Sequence, residues 1–413
     1  MKYNQWPRIK VSELCELIVD CVNKTAPSVD YETPYKMIRT PNIKAGRINL
    51  TGCRYVENET FKKWTRRATV DKGDVLLTRE APMGEVGYVN FTDTVFLGQR
   101  IMQYRANPKK LDSTYLLYAF LSPDLQSQFR RHDSTGSIVS HIRVPDCLEF
   151  EISTPELDEQ KKIANVLSNI DNKIDINNRI NAELEAMAKT LYDYWFVQFD
   201  FPDINGKPYK TSGGKMVYNP ILKREIPAGW EVKTLSQIAN ITMGQSPVGE
   251  SYNEEGDGTL FFQGSTDFGW LFPTPRQYTT SPARMAKKGD ILLSVRAPVG
   301  DMNIANADCC IGRGIAALNS KTGSDGFLFY VMKYFKQVFD RRNAEGTTFG
   351  SITKNDLHTL AVVYPQPALL KKYDDIVSDY NQTIFVRSLE NNDLIKLRDW
   401  LLPMLMNGQV TVK

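Results

Sequence analysis

The stretch Lys72-Gly-Asp-Val-Leu-Leu-Thr-Arg-Glu-Ala-Pro-Met-Gly84 is written a second time, as Lys288-Gly-Asp-Ile-Leu-Leu-Ser-Val-Arg-Ala-Pro-Val-Gly300. In each copy a Gly-Asp turn leads into an apolar run and an Ala-Pro-x-Gly turn closes it, which reads as a strand between two turns. Further matches fall around this pair in the same order. Trp6-Pro-Arg-Ile-Lys-Val-Ser-Glu-Leu answers Trp230-Glu-Val-Lys-Thr-Leu-Ser-Gln-Ile, Gly98-Gln-Arg-Ile answers Gly312-Arg-Gly-Ile, and Gly136-Ser-Ile answers Gly350-Ser-Ile. The offsets stay between 214 and 224 residues. So long a period marks duplicated domains, because solenoids repeat every ~20–50 residues.

Each half opens with short β-rich runs punctuated by Gly and Pro. A helical patch follows (Tyr115 to Arg130; Gly326 to Arg342), then a strand leading to proline, Phe150-Glu-Ile-Ser-Thr-Pro155 and Ala361-Val-Val-Tyr-Pro365. This order predicts two mixed α/β domains in an α+β chain, each of about 150 residues.

Beyond each proline the character changes. From Asp158 to Val197 there is no Gly or Pro. One seven-residue row reads Ile163, Ile170, Asn177, Leu184, Leu191; a second reads Val166, Lys173, Ile180, Met187; Leu167 and Ile174 widen the stripe. The second copy is looser: Tyr373, Ile376, Val377, Tyr380 and Ile384, then a polar stretch, then Leu394, Leu397 and Leu401. A helix over 158–191 rises about 50 Å, more than one compact domain needs. Two such helices are expected to bury their stripes on each other as an antiparallel coiled coil, with Asn177 fixing register; packing of each on its own domain is the alternative. The predicted segments are a mixed domain over 1–150, a long helix over 151–199, a turn-rich linker and second domain over 200–365, and a second long helix over 366–413. The candidate pairing residues are Ile163, Ile170, Leu184, Met187, Ile376, Ile384 and Leu397.

Among 413 residues 42% are hydrophobic and 24% charged, the proportions of ordinary globular chains. Six cysteines form no C-x-x-C pair, so neither a zinc site nor a disulfide framework is expected, and the chain reads as a cytoplasmic protein with reduced thiols. No secretory leader or 18-residue apolar run is present, so no membrane role is expected. Charge is uneven. Residues 1–150 hold 22 Lys and Arg against 17 Asp and Glu, and 201–365 hold 18 against 15, whereas 151–200 hold 5 against 10 and 366–413 hold 6 against 6. Basic domains suit a polyanion and the other blocks suit protein, although solvated faces explain the same differences.

Catalytic constellations are missing from the sequence. There is no G-x-x-x-x-G-K-[ST] loop, no G-x-G-x-x-G turn after a strand, no H-E-x-x-H and no G-x-S-x-G. The D/N-P-P-Y/F tetrapeptide of amino-methyltransferases is absent too. His132, His141 and His358 form no repeated pattern, and no metal site is expected. The duplicated Asp74 and Asp290 read as backbone acceptors at strand-opening turns.

The duplicated motifs, together with Pro155-Glu-Leu-Asp-Glu-Gln-Lys-Lys-Ile163, Ile226-Pro-Ala-Gly-Trp-Glu-Val-Lys233, Thr242-Met-Gly-Gln-Ser-Pro-Val-Gly-Glu-Ser-Tyr252 and Phe261-Phe-Gln-Gly-Ser-Thr-Asp-Phe-Gly269, resemble those of type I restriction-modification specificity subunits. The resemblance covers essentially the whole chain. One departure is Pro367-Ala-Leu-Leu-Lys-Lys-Tyr373, which lacks the Glu-Gln pair of the first copy. The resemblance implies a non-catalytic subunit that reads a split double-stranded DNA target, one half per domain. It also implies a scaffold for two modification subunits and for motor-nuclease restriction subunits. S-adenosylmethionine, ATP and Mg²⁺ would then bind those partners and this chain would hold no cofactor; base flipping into the modification subunit would supply the chemistry. A reader portion of a single-chain restriction or methyltransferase enzyme, and a non-DNA adaptor, stay open.

Candidate DNA contacts follow from residue chemistry. Lys62, Lys63, Arg66 and Arg67 around Trp64 suit phosphates. Arg79, Arg100, Arg296 and Arg313 stand in turns beside strands, where a guanidinium can reach guanine; packing or salt-bridging is the alternative for each. Ser137 and Ser351 lie in polar turns able to approach the DNA backbone, and ordinary turn duty would also explain them.

Overall fold

The computed structural model describes residues 6–132, 141–344 and 351–412. By its internal contacts the chain divides into two compact units, Met1–Ile176 with Asn391–Lys413, and Asn177–Glu390.

The duplicated Gly-Asp stretch forms the middle of each unit. In the first, an antiparallel sheet runs in the order Cys15–Asp20, Ile101–Ala106, Val75–Thr78, Val86–Tyr88; in the second it runs Ala239–Met243, Ile315–Ser320, Ile291–Ser294, Met302–Ile304. Gly73 and Gly289 open the central strands at φ +99° and +96°, a conformation that disfavours any side chain. Val75–Thr78 and Ile291–Ser294 are buried throughout because alternate residues serve two cores. Val75 and Leu77 pack among helices while Leu76 faces a second, smaller sheet; Ile291 and Leu293 likewise oppose Leu292. That second sheet, three-stranded in the first unit and five-stranded in the second, carries one parallel pair per unit, Lys36–Ile38 with Val95–Leu97 and Thr259–Phe262 with Cys309–Ile311.

Asp74 and Asp290 act as the turn acceptors expected. Asp74 accepts from the Asp71 backbone N–H (2.7 Å), Gln103 and Arg105, and Asp290 accepts from the Lys287 N–H (2.8 Å) and Asn319. The segment read as a linker is more ordered than its Gly and Pro content suggests. Met216–Asn219 and Arg224–Pro227 pair as a hairpin, and Phe201 stacks on both Tyr209 and Trp230. Widely spaced aromatics supply the packing that no local period announced.

The long helices are Leu157–Tyr192 and Pro367–Met406. Strand register equates their starts: Val11 N–H donates to Phe150 O as Leu235 N–H donates to Leu360 O, so Pro155 corresponds to Pro365 and Ile163 to Tyr373. Gln160 thereby corresponds to Leu370, and both are buried. Gln160 bonds Pro155 O (2.8 Å), Lys110 O and the Asp112 N–H, tying the helix start to its domain. In the second copy Leu370 packs apolarly, and Asp374 instead accepts from the Phe327 N–H (3.1 Å). The missing Glu-Gln pair is therefore replaced by another link.

Within each unit the two helices pair antiparallel. In the second unit Asn177, fully buried, donates to Glu390 (2.8 Å) and accepts from Arg387 (3.0 Å), while Tyr373 OH donates to Ala188 O (3.1 Å). In the first, Asp171 accepts from Arg398 (2.9 Å) and from Tyr118 OH (2.6 Å). Burial and the facing Asp171 carboxylate push the Tyr118 hydroxyl up, which keeps it a donor.

The first predicted row holds in part: Ile163 and Asn177 are buried, and Ile170 and Leu184 are half-buried. The second row is corrected by one residue. Leu167, Ile174, Asn181 and Ala188 form it, and Lys173 and Met187 are exposed, Met187 by 52%. Asn181 and Ala188 carry little apolar signal, so the larger Ile180 and Met187 drew the reading off. On the second helix Ile384 is buried beside Tyr373 and Val377, but Ile376 and Leu397 are exposed. Replacing Ile174 by Ala should lower stability by roughly 2–5 kcal/mol, and Met187 by Ala should change it by less than about 0.5 kcal/mol, as read by denaturant unfolding.

Candidate nucleic-acid interface

The helix Asn58–Trp64 turns Phe61 and Trp64 toward the first unit's small sheet, with Phe61 stacked on Tyr35 at 4.6 Å. Lys62 and Lys63 consequently face solvent, as do Arg66 and Arg67 just beyond. Arg67 is held by Asp20 at the end of the neighbouring strand, and Lys63 lies 5.6 Å from the Trp64 ring centre. This short amphipathic helix presents a basic face with its apolar face fully employed, a geometry suited to phosphates.

The four candidate arginines gather at one end of each central sheet, because the turns that follow Val75–Thr78 and precede Ile101–Ala106 sit side by side. Arg79 N–H donates to Arg100 O (2.8 Å), and in the second unit Val295 N–H donates to Gly314 O (2.9 Å). These bonds show that Arg79 corresponds to Val295 and Glu80 to Arg296. Arg79 is half-buried and its Nη1 donates to Ile142 O (3.1 Å), bracing that segment against the strand end. Arg100 stands at φ +70°, exposed, and pairs with Glu80 at 3.3 Å. In the second unit both arginines are exposed and form no ion pair among the described residues. Arg296 bridges Ser351 through the backbone, and Arg313 donates from its backbone N and its Nε to Ser246 Oγ (3.3 and 3.4 Å). Ser351 is exposed beside Arg296, and Ser137 lies outside the described residues.

Sequence reading did not single out Ser246, which Arg313 bonds, or Gln263, whose Nε2 donates to Ser246 Oγ at 2.9 Å. Their signal was available in the quoted Thr242–Tyr252 and Phe261–Gly269 motifs, but only pairing across the sheet brings them together. Gly244 shows how closely: a Cβ there would lie 2.1 Å from Gly312 O, so only glycine fits.

Chemistry elsewhere is quiet. Burial pushes the Cys147 and Cys309 thiols up to about 12, away from thiolate nucleophiles. Among the described residues no three His, Cys, Asp or Glu side chains gather as metal ligands. No described helix is long and apolar enough to cross a membrane.

The family model of the type I restriction modification DNA specificity domain matches residues 3–186 and again 227–395, once in each half. The chain belongs to this family. A relative from Methanocaldococcus jannaschii, the putative type I restriction enzyme MjaX specificity subunit, is 30% identical, with 99% of this chain and 94% of the relative covered. The HindI specificity subunit of Haemophilus influenzae is 21% identical over 83% of this chain and 88% of its own. The crystal structure of the type I restriction-modification S subunit from M. genitalium shares the fold at a TM-score of 0.64 and 19% identity, covering 98% and 96% of the two chains. The two family copies coincide with the duplicated sheets, so the protein is a type I specificity subunit with two recognition domains.

The placement of these side chains separates their roles experimentally. Lys62→Ala, Lys63→Ala and Arg66→Ala should each weaken binding to all DNA sequences alike and reduce the salt slope by about one. Arg79→Ala should lower stability and leave the order of preferred sequences intact, as read by competition binding at several salt concentrations.

Proposed function

We propose that this subunit performs no catalysis and reads a split DNA target, the first recognition domain one half and the second the other. The observation that carries this reading is the repeated sheet end, where each unit lifts side chains of hydrogen-bonding type out of a turn with a buried strand beneath it. Reading by such side chains supplies sequence discrimination, and the basic helix Asn58–Trp64 supplies affinity. The modification and motor-nuclease subunits bring the chemistry, and S-adenosylmethionine, ATP and Mg²⁺ are bound there. The complex works in the cytoplasm, where its DNA is.

The long helices are the docking region for the modification subunits. Their inner faces are used in pairing, yet Met187, Ile376, Leu389, Leu397 and Trp400 remain exposed, Trp400 by 56%. Large apolar side chains held in water can be buried against a partner, which makes these the helices' contact residues. They also give Met187, Ile376 and Leu397 a use other than helix pairing. Changing Leu397 and Trp400 to Asp should reduce co-purification with the modification subunit at least tenfold and leave the unfolding transition unchanged; undiminished co-purification would place docking elsewhere.

Exchange of residues 1–150 for those of a family member with another target tests the division of reading. Methylation mapping of the assembled complex should show one half of the site changed and the other preserved. A change in both halves, or in neither, contradicts it.

A further inference from the structure

In both units the parallel strand pair ends with two residues side by side, and hydrogen bonding sets their equivalence. Gly98 N–H donates to Ile38 O (2.7 Å), and Gly312 N–H donates to Phe262 O (2.9 Å). Arg39 therefore corresponds to Gln263, and Gln99 to Arg313. The glycine between them is a floor. A Cβ on Gly98 would come within 2.9 Å of Ile38 O and 3.3 Å of Arg39 Cγ, and one on Gly312 within 2.7 Å of Gln263 Oε1. The side chain at the first position thus lies over the glycine, and the second position follows that glycine directly in the chain.

Each unit holds one arginine and one glutamine at these positions, in exchanged order. A small hydroxyl attends the second position in both: Thr25 Oγ1 is 3.4 Å from Gln99 Oε1, and Ser246 Oγ is 3.4 Å from Arg313 Nε. Neighbouring arginines of the first unit are neutralised, Arg67 by Asp20, Arg100 by Glu80 and Arg105 by Asp74. Arg39 and Arg313 have no ion-pair partner among the described residues; Arg39 is half-buried, with its Nε buried and without an acceptor there, and Arg313 is exposed. Guanidinium matches guanine O6 and N7 bidentately, and the glutamine amide matches adenine N6 and N7.

We propose that Arg39 with Gln99, and Gln263 with Arg313, are the base-reading pairs, so that each half-site contains a G·C and an A·T pair read in opposite order by the two units. This rests on the DNA-reading function proposed above and names the side chains and bases that carry it.

The test expresses the full-length subunit with its modification subunit in a methylation-free host and maps modified sites. Wild type should show a G·C and an A·T pair in each half. R313A should relax one G·C position of the second half-site, losing about ten- to hundredfold discrimination; Q263A should relax an A·T position of the same half. R39A should do the same in the first half, and the exchange R39Q with Q99R should interchange its two positions. R313K separates base from phosphate contact, because lysine keeps the charge and loses the bidentate geometry. Rescue by R313K, or a uniform loss across sequences with a salt slope lower by about one, makes these residues phosphate contacts and overturns the proposal. Wild-type discrimination in R313A and Q263A overturns it as well. Since Gln263 and Arg313 are exposed, variant assembly is verified by size-exclusion chromatography before mapping. A wild-type complex with no split target would defeat the reader function itself, an outcome distinct from these.

Discussion

Each unit is closed by a piece of helix from far along the chain. The core of the first contains Leu402, Leu405 and Met406 beside Val11, Ile163 and Leu167, and the core of the second contains Ala188, Tyr192, Trp195 and Phe196 beside Leu370, Tyr373 and Val377. In proteins most of a helix's stability comes from packing its apolar face. Neither recognition domain is therefore finished by its own local sequence. The antiparallel pairing completes both, and polar contacts at Asn177 and Asp171 confine its register within an otherwise forgiving apolar seam.

That constraint divides the molecule into parts free and not free to change. The central strands are covered on both faces, so a substitution at Leu76 or Leu292 disturbs a core whatever its chemistry. Turns beyond the strand ends are less constrained, although Val295 and Val299 enter the second unit's core. There the copies diverge: Val295 stands for Arg79, Arg296 for Glu80 and Arg313 for Gln99. A scaffold that is rigid beneath and variable at its rim is suited to presenting different side chains to different partners.

The duplication, the alternation of domain and helix, and the turn duty of Asp74 and Asp290 were all legible in the sequence. They rest on local rules: glycine at positive φ, apolar runs where a strand is covered twice, and the absence of helix breakers over 158–197. The candidate interface was legible only in part. Lys62 and Lys63 are where a basic amphipathic helix must put them, with Arg66 just beyond its end, but Arg79 braces Ile142 and Arg100 pairs with Glu80. A guanidinium's partner is chosen by which strands lie side by side, and spacing along the chain does not encode it.

By itself the sequence determined how many domains there are, which segments are strands and long helices, and the family to which they belong, because periodicity and turn chemistry act over a few residues. Tertiary structure decided the edge of the buried helix stripe, whose centre the sequence itself places on Ile163, Leu167, Ile174 and Asn177. The true second row passes through Asn181 and Ala188, whose burial comes from the partner helix and not from their own hydrophobicity. It alone also set Arg39 beside Gln99 and Gln263 beside Arg313, since those pairs are joined by hydrogen bonds between strands about 50 to 60 residues apart in the chain. Contacts over such separations follow from the sheet's register, which exists only once the chain has folded.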